Sequence, residues 1–292
     1  MSKSLVETIT EVFKPQVPLW ACELTSKHVI VAGANSRRTR VMHKAMADLP
    51  TGNPAIGPEG ANSVVSRLLS EAGFKGSEIV VVVPDSTARI AFLTAEHPSR
   101  NVEEQQNFIR WKLKKSIPFD VDTAQVAYRI LGPHRSGPGV DILVALSPRS
   151  VVEEYERLFE ALEIHAGVVL PSTLATLNLV RSLDGDTLIV KVAPDCVTTT
   201  VFQDGRLQFY RRVTDVSVYD AVYPTLLYYQ DKLGGSAFQR LYVCGYDNDL
   251  RGSLDEVQEK LGLVAERIEP RSVEDIYKPV FGAIHLKSEG VL

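Results

Sequence analysis

"EIVVVVP", Glu78–Pro84, places five β-branched apolar residues in a row and closes them with a proline. A strand covered on one face alternates apolar with polar residues, so an unbroken run predicts a strand packed on both faces, as in a parallel α/β sheet. The flanks agree with that reading. Upstream, Val64, Val65, Leu68, Leu69 and Ala72 recur at helical spacing, with Gly73 placed as a cap. Downstream, Asn101 and Glu104 have the spacing of a capping box opening a helix through Val102, Ile109, Leu113 and Ile117, which Pro118 stops. "TAQVAYRIL" and "VDILVALS" read as strands around the loop "GPHRSGPG". Ser147-Pro148 then caps and starts a helix that buries Val151, Val152, Tyr155, Leu158, Phe159 and Leu162.

Further outward the pattern occurs twice. From Leu19, "LWACELTSKHVIVAGA" predicts two strands around a turn at Thr25-Ser26-Lys27, followed by a looser stretch from Gly33 to Gly60. After "SLDGD", "TLIVKVAPDCVTTTVFQDGRLQFYRRV" predicts three strands with a turn at Asp204-Gly205. A helix around "YPTLLYYQDKLGG", the strand "RLYVCG", a helix near Leu254–Leu261, a short strand near Val264–Ile268 and an apolar segment near Ile276–Leu286 complete it. Two halves that open with a β-meander and continue into alternating α and β indicate two related α/β lobes.

Composition bounds the function. The 292 residues are 45% hydrophobic and 23% charged, enough for an ordinary core, and the net charge of -4 argues against general nucleic-acid affinity. Cys22, Cys196 and Cys244 are far apart with no C-x-x-C pair, so a reducing compartment is expected rather than a disulfide or zinc framework. Leu5, Val6, Ile9, Val12 and Phe13 follow one helical face rather than a signal-peptide run, and no stretch reaches the ~18 apolar residues of a membrane span.

Catalytic motifs are missing. The six histidines are scattered without an H-x-x-x-H pair, and neither a G-x-S-x-G elbow nor a G-x-x-x-x-G-K-[ST] loop occurs. "DNDLRGSLDEVQ" imitates a calcium loop at Asp247, Asp249 and Gly252, but Arg251 and Gln258 stand where oxygen ligands belong. Asp120 and Asp122 read as turn residues beside a helix stop.

The stretch "NFIRWKLKKSIPFDVD" crowds Arg110, Lys112, Lys114 and Lys115 into six residues around Trp111 and Leu113. Nucleic acid would require the bases on one face with the aromatics free, yet Lys112 and Lys115 share one face while Trp111 and Lys114 share another. A membrane-surface helix would leave its apolar face unburied, and Ile109, Leu113 and Ile117 are spaced to pack on a sheet. The expectation is therefore packing on "VVVVP" and "TAQVAYRIL", with the rim near Trp111 and "IPF" shaping a partner groove; Trp111 reads either as core filler or as a contact.

"VVVVPDSTARIAFLTAEH…EEQQNFIRWKLKKSIPFDVDTAQVAYRIL", "DILVALSPRSVVEEYERLFEALEI" and "YPTLLYYQDKLGGSAFQRLYVCG" together resemble, in order and over most of the chain, the PilM family of actin-like proteins of type IV pilus assembly. The resemblance implies an actin-like (RNase H-like) two-lobed α/β fold. It implies a first lobe over residues 1–183 with a small α+β subdomain inserted at about 85–147, a second lobe over 184–270, and a C-terminal segment, 271–292, packing back on the first. It also implies a cytoplasmic adaptor, peripheral at the inner membrane, that binds the N-terminal cytoplasmic peptide of a PilN-like bitopic protein and meets other platform proteins. Ile109, Arg110, Trp111, Leu113, Ile117, Pro118 and Phe119 are the expected partner contacts.

Many members of that family bind ATP, but the matching loops here are altered. Where the first phosphate hairpin has D-I-G-S-S-S-V-K, this chain has "ELTSKHVI", placing Glu23, Thr25, Ser26 and Lys27 in a vestigial site. A Cβ in place of glycine obstructs the close approach of phosphate to backbone N–H groups. Lys191-Val192-Ala193 replaces the second D-I-G, turning a carboxylate that could hold hydrated Mg²⁺ into a cation, and Gly245-Tyr246 replaces a pair of glycines at the adenosine loop. A pseudo-ATPase without catalytic residues, metal or cofactor is expected. The alternatives are an ATP/Mg-dependent switch of the same fold and a GspL-like secretion component, the latter expected to continue into a membrane helix where this chain ends at "KSEGVL".

Overall fold

The computed structural model describes residues 17–49, 61–180, 183, 185–246 and 250–285. The helix expected near Leu5–Phe13 and the loop residues Asp247 and Asp249 lie outside them.

The run at Glu78–Val83 forms β4, buried from Ile79 onward, as its unbroken apolar pattern requires. It sits inside a five-stranded sheet of order β3-β2-β1-β4-β8. Here β1 (Trp20–Leu24), β2 (His28–Ala34) and β3 (Val41–Asp48) form an antiparallel meander, while β4 and β8 (His165–Pro171) run parallel to β1. The second half repeats the order. β9 (Thr187–Val192), β10 (Val197–Gln203) and β11 (Arg206–Val213) form a meander, and β12 (Arg240–Gly245) and β13 (Ala265–Arg267) extend it in parallel as β11-β10-β9-β12-β13. Asp204 and Gly205 both take positive φ at the β10–β11 turn, the twist that two-residue hairpins favour. A third sheet, β5-β7-β6, is inserted after β4 and built from β5 (Arg89–Ala95), β6 (Gln125–Pro133) and β7 (Val140–Ser147).

Helices cover the outer faces. α1 (Asn62–Ala72), capped by left-handed Gly73, and α3 (Arg149–Glu160) cover the first sheet with Val65, Leu68, Leu69, Leu158 and Phe159. α2 (Val102–Leu113) covers the inserted sheet, and α5 (Val218–Leu233) and α6 (Leu250–Leu261) cover the second. Between the two large sheets lie α4 (Ser172–Leu177) and α7 (Lys278–Ile284), packed on each other inside the largest core cluster. They approach closely because Gly282 lacks a side chain: a Cβ there would stand 2.1 Å from the Ala175 carbonyl oxygen.

Several expectations need correction. The looser stretch after Gly33 contains β3, whose residues are all at least partly exposed; an edge strand carries too little apolar signal to stand out. α4 escapes periodicity because all six of its residues are buried. Asn101 caps α2 by accepting from the Glu103 and Glu104 amides, but Glu104 takes the Ser99 hydroxyl instead of closing a box. Ser147 does not cap α3; its hydroxyl donates to the Thr87 carbonyl. On α3, Leu158 and Phe159 are buried as expected, whereas Val151, Val152 and Tyr155 are only half-buried.

Candidate functional site

Two places are candidates: the cleft between the large sheets, which gathers the residues of the expected vestigial site, and a groove beside the inserted module. In the cleft, the β1–β2 turn folds onto its own threonine. The Thr25 hydroxyl accepts from the amides of Lys27 at 3.2 Å and His28 at 2.7 Å. Those N–H groups are the ones a phosphate-binding hairpin would present to an anion, and here a side chain takes them. Ser26 and Lys27 are exposed at the tip.

Behind the turn lies a buried polar network. Glu23 on β1 is 1% exposed, and its Oε1 accepts from the hydroxyls of Ser172 and Tyr246. Lys191 on β9 is equally buried, with Nζ 3.8 Å from Asp85 Oδ2 and 5.1 Å from the Tyr246 ring centroid. Asp85 follows Pro84 at the end of β4. It accepts from the Thr173 amide at 2.7 Å, the Thr173 hydroxyl at 2.5 Å and the Thr198 hydroxyl at 3.1 Å. One carboxylate therefore joins the first sheet, the N-terminal end of α4 and the second sheet.

The electrostatics follow from burial. Glu23 is pushed above the usual carboxylate range by desolvation, against the pull of Lys191 and its two hydrogen bonds. Desolvation works against the Lys191 ammonium, but Asp85 and then Glu23 outweigh it and hold its pKa above 10.5. Tyr246 follows Gly245 and replaces an expected glycine. Its ring covers Lys191, and the space left between the hairpins, lined by Lys27, His28, Val192, Ala193, Pro194 and Tyr246, is about 160 Å³.

The groove is larger, about 270 Å³, and lies where β8, the outer strand of the first sheet, faces β6 and β7. Its walls are rich in small residues: Ala88, Ala127, Ala145, Ala166 and Gly167. Val151, Val152 and Tyr155 of α3 form another side, which accounts for their incomplete burial. Among the described residues Glu156 is the one charged residue of the lining.

None of the seven residues expected as partner contacts lines this groove. α2 lies on the opposite face of the inserted sheet, where Ile109 and Leu113 join Val126, Ile142, Val144 and Leu146, with Ile117 and Phe119 packed at the edge. The helix packs on that sheet and not on β4. Arg110 donates to the Ala124 carbonyl, just before β6, at 3.2 Å and Gln106 to the Val126 carbonyl on β6 at 3.1 Å. Pro118 is exposed, and Trp111, 70% exposed, is not core filler. Sequence reasoning missed Asp85, Ser172, Thr173 and Thr198. The Pro-Asp-Ser-Thr turn after β4 was the available signal for Asp85, because ligand sites of parallel sheets gather at strand C-terminal ends. Among the described residues no three His, Cys, Asp or Glu side chains converge as metal ligands, and no helix is long and apolar enough to cross a membrane.

No family model and no curated protein matches the sequence. Solved structures do match. The PilM-PilN type IV pilus biogenesis complex superposes with a TM-score of 0.72 at 16% identity, over 92% of this chain and 97% of that one. A Bacteroides thetaiotaomicron protein with an actin-like ATPase fold and unknown function gives 0.58 at 13% identity, over 89% and 94% of the two chains. The cytoplasmic domain of EpsL, an inner membrane component of the type II secretion system of Vibrio cholerae, gives 0.54 at 15%, over 92% and 95%. The fold of this chain is thus the actin-like one, two lobes with related sheets and a small module inserted in the first.

Proposed function

We propose that this chain is a non-hydrolysing adaptor of a type IV pilus inner-membrane platform, holding the cytoplasmic N-terminal tail of a PilN-like membrane protein as an extended strand. One observation carries the reading: the cleft is filled by the chain's own side chains, while an open groove persists beside the inserted module. A Mg-triphosphate does not fit the residues present. The hairpin amides are taken by Thr25, Lys191 stands where a carboxylate would hold hydrated metal, and the remaining 160 Å³ is below the roughly 300–1,000 Å³ of small-molecule sites. The likeness to the PilM-PilN and EpsL structures supports an assembly component facing the inner membrane.

The groove suits an extended chain. Alanine and glycine walls let a backbone come close, and β8 ends its sheet with an edge that lines the cavity. Strand addition falls to β8, the edge strand that lines the groove. Calorimetry with a synthetic cytoplasmic tail of the bitopic protein encoded beside this chain tests the reading. Binding is expected, and Ala127→Trp, which fills the groove, abolishes it. Micromolar binding of Mg-ATP would instead restore the nucleotide-switch reading. Failure of the tail to bind would remove the adaptor.

A further inference from the structure

α2 presents a second surface, on the side away from the groove. Phe108, Trp111 and Lys112 recur at i, i+3 and i+4 on one outward face of α2, and exposed Lys115 follows in the turn just past its end. Lys112 and Trp111 are not on separate faces as their numbering suggested: the ammonium lies 5.3 Å from the Trp111 ring and 5.8 Å from Phe108. The two rings stand 6.4 Å apart, with Phe108 half-buried and Trp111 70% exposed.

The local charge is opposite in sign to that of the whole. Between Phe108 and Ile117 the chain carries four basic residues and no acidic one, although its net charge is -4. Arg110 is turned inward to Ala124 and Lys114 is paired with Asp122 at 2.5 Å. Lys112 and Lys115 are exposed, with no carboxylate partner among the described residues. A large amphipathic ring beside one lysine ammonium, with a second exposed lysine close by in the chain, matches the chemistry of a bilayer interface, where indole settles at headgroup level and lysines meet lipid phosphates.

We propose that the Trp111–Lys115 stripe rests on an anionic membrane surface. The apolar face of α2 stays in the core of the inserted module, so this is contact by a rigid projecting ring and two cations, not insertion of an amphipathic helix. Single-stranded nucleic acid is the poorer fit. Lys112 already covers the Trp111 ring on which a base would stack, and a convex helix offers no groove to track a backbone. Contact of this kind is weak alone and gains from any second tether to the same membrane, through effective concentration.

Co-sedimentation of the full chain with vesicles tests the proposal, using phosphatidylcholine alone and phosphatidylcholine mixed with phosphatidylglycerol. Binding is expected for the anionic vesicles only, falling with salt, and each of Lys112→Gln and Lys115→Gln lowers affinity about fivefold. Trp111 is one of two tryptophans, so Trp20→Phe leaves its emission as a direct reporter; a blue shift on anionic vesicles is expected. Trp111, Lys112 and Lys115 are all exposed, and circular dichroism checks that the variants keep the fold. The proposal is overturned by wild-type protein that ignores anionic vesicles, by Trp111→Ala or the lysine variants binding as well as wild type, or by an oligonucleotide that binds the stripe more tightly than the vesicles do.

Discussion

Replacing Lys191 by Met removes the one cation of the cleft network while keeping most of the stem's volume. At 3.8 Å from Asp85, and with an effective dielectric of ~20, the pair's attraction is on the order of 4 kcal/mol. Breaking a buried pair from one side costs roughly 3–5 kcal/mol, because the remaining charge is left buried. Asp85 keeps three hydrogen-bond donors from Thr173 and Thr198, so the lower end, about 3 kcal/mol, is expected. Urea unfolding at neutral pH reads this directly. The double variant Asp85→Asn/Lys191→Met should recover at least about 1 kcal/mol relative to the sum of the single changes, as coupled neighbours do. The pH dependence adds an independent readout. Lys191 has a folded-state pKa raised above 10.5, so its stabilisation is complete below that value and is lost as pH climbs through the raised one. Wild type should therefore lose stability in the alkaline range more steeply than Lys191→Met. A Lys191→Met protein within about 0.5 kcal/mol of wild type, with the same alkaline profile, would refute the network as the link between the lobes.

Three further outcomes are expected. Glu23→Gln keeps an acceptor for Ser172 and Tyr246 while removing a charge that burial disfavours, so stability at neutral pH should change by less than about 1 kcal/mol in denaturant titration. Relative to the unfolded chain, burial shifts Glu23 toward its protonated form. Its contribution is present below the ordinary value of 4.5 and disappears as pH rises through the elevated folded-state pKa, a step that Glu23→Gln should lack. Gly282→Ala drives a methyl group into the Ala175 carbonyl and should destabilise by about 2 kcal/mol or more in thermal unfolding, since backbone faces it and cannot move aside.

Local pattern was enough for the elements that bury a regular face. The five-residue apolar run of β4, the β1–β2 hairpin, the second meander, the Asp204-Gly205 turn and the Asn101 cap all follow from residues close in the chain, because period, branching and local hydrogen bonding are local properties. Where burial is extreme in either direction the pattern fades, which is why fully buried α4 and exposed β3 were not legible.

Position along the chain was enough to raise the expectation that Thr25, Lys191 and Tyr246 alter loops resembling phosphate-binding ones. What those residues build together comes from the assembled fold. Tyr246 meets Glu23 across 223 residues, and Asp85 reaches Thr198 across 113, contacts that no spacing rule foretells because they depend on how two sheets face each other. The groove was decided in the same way. The apolar face of α3 reads as continuous in sequence, and only the placing of the inserted module beside β8 leaves part of it uncovered.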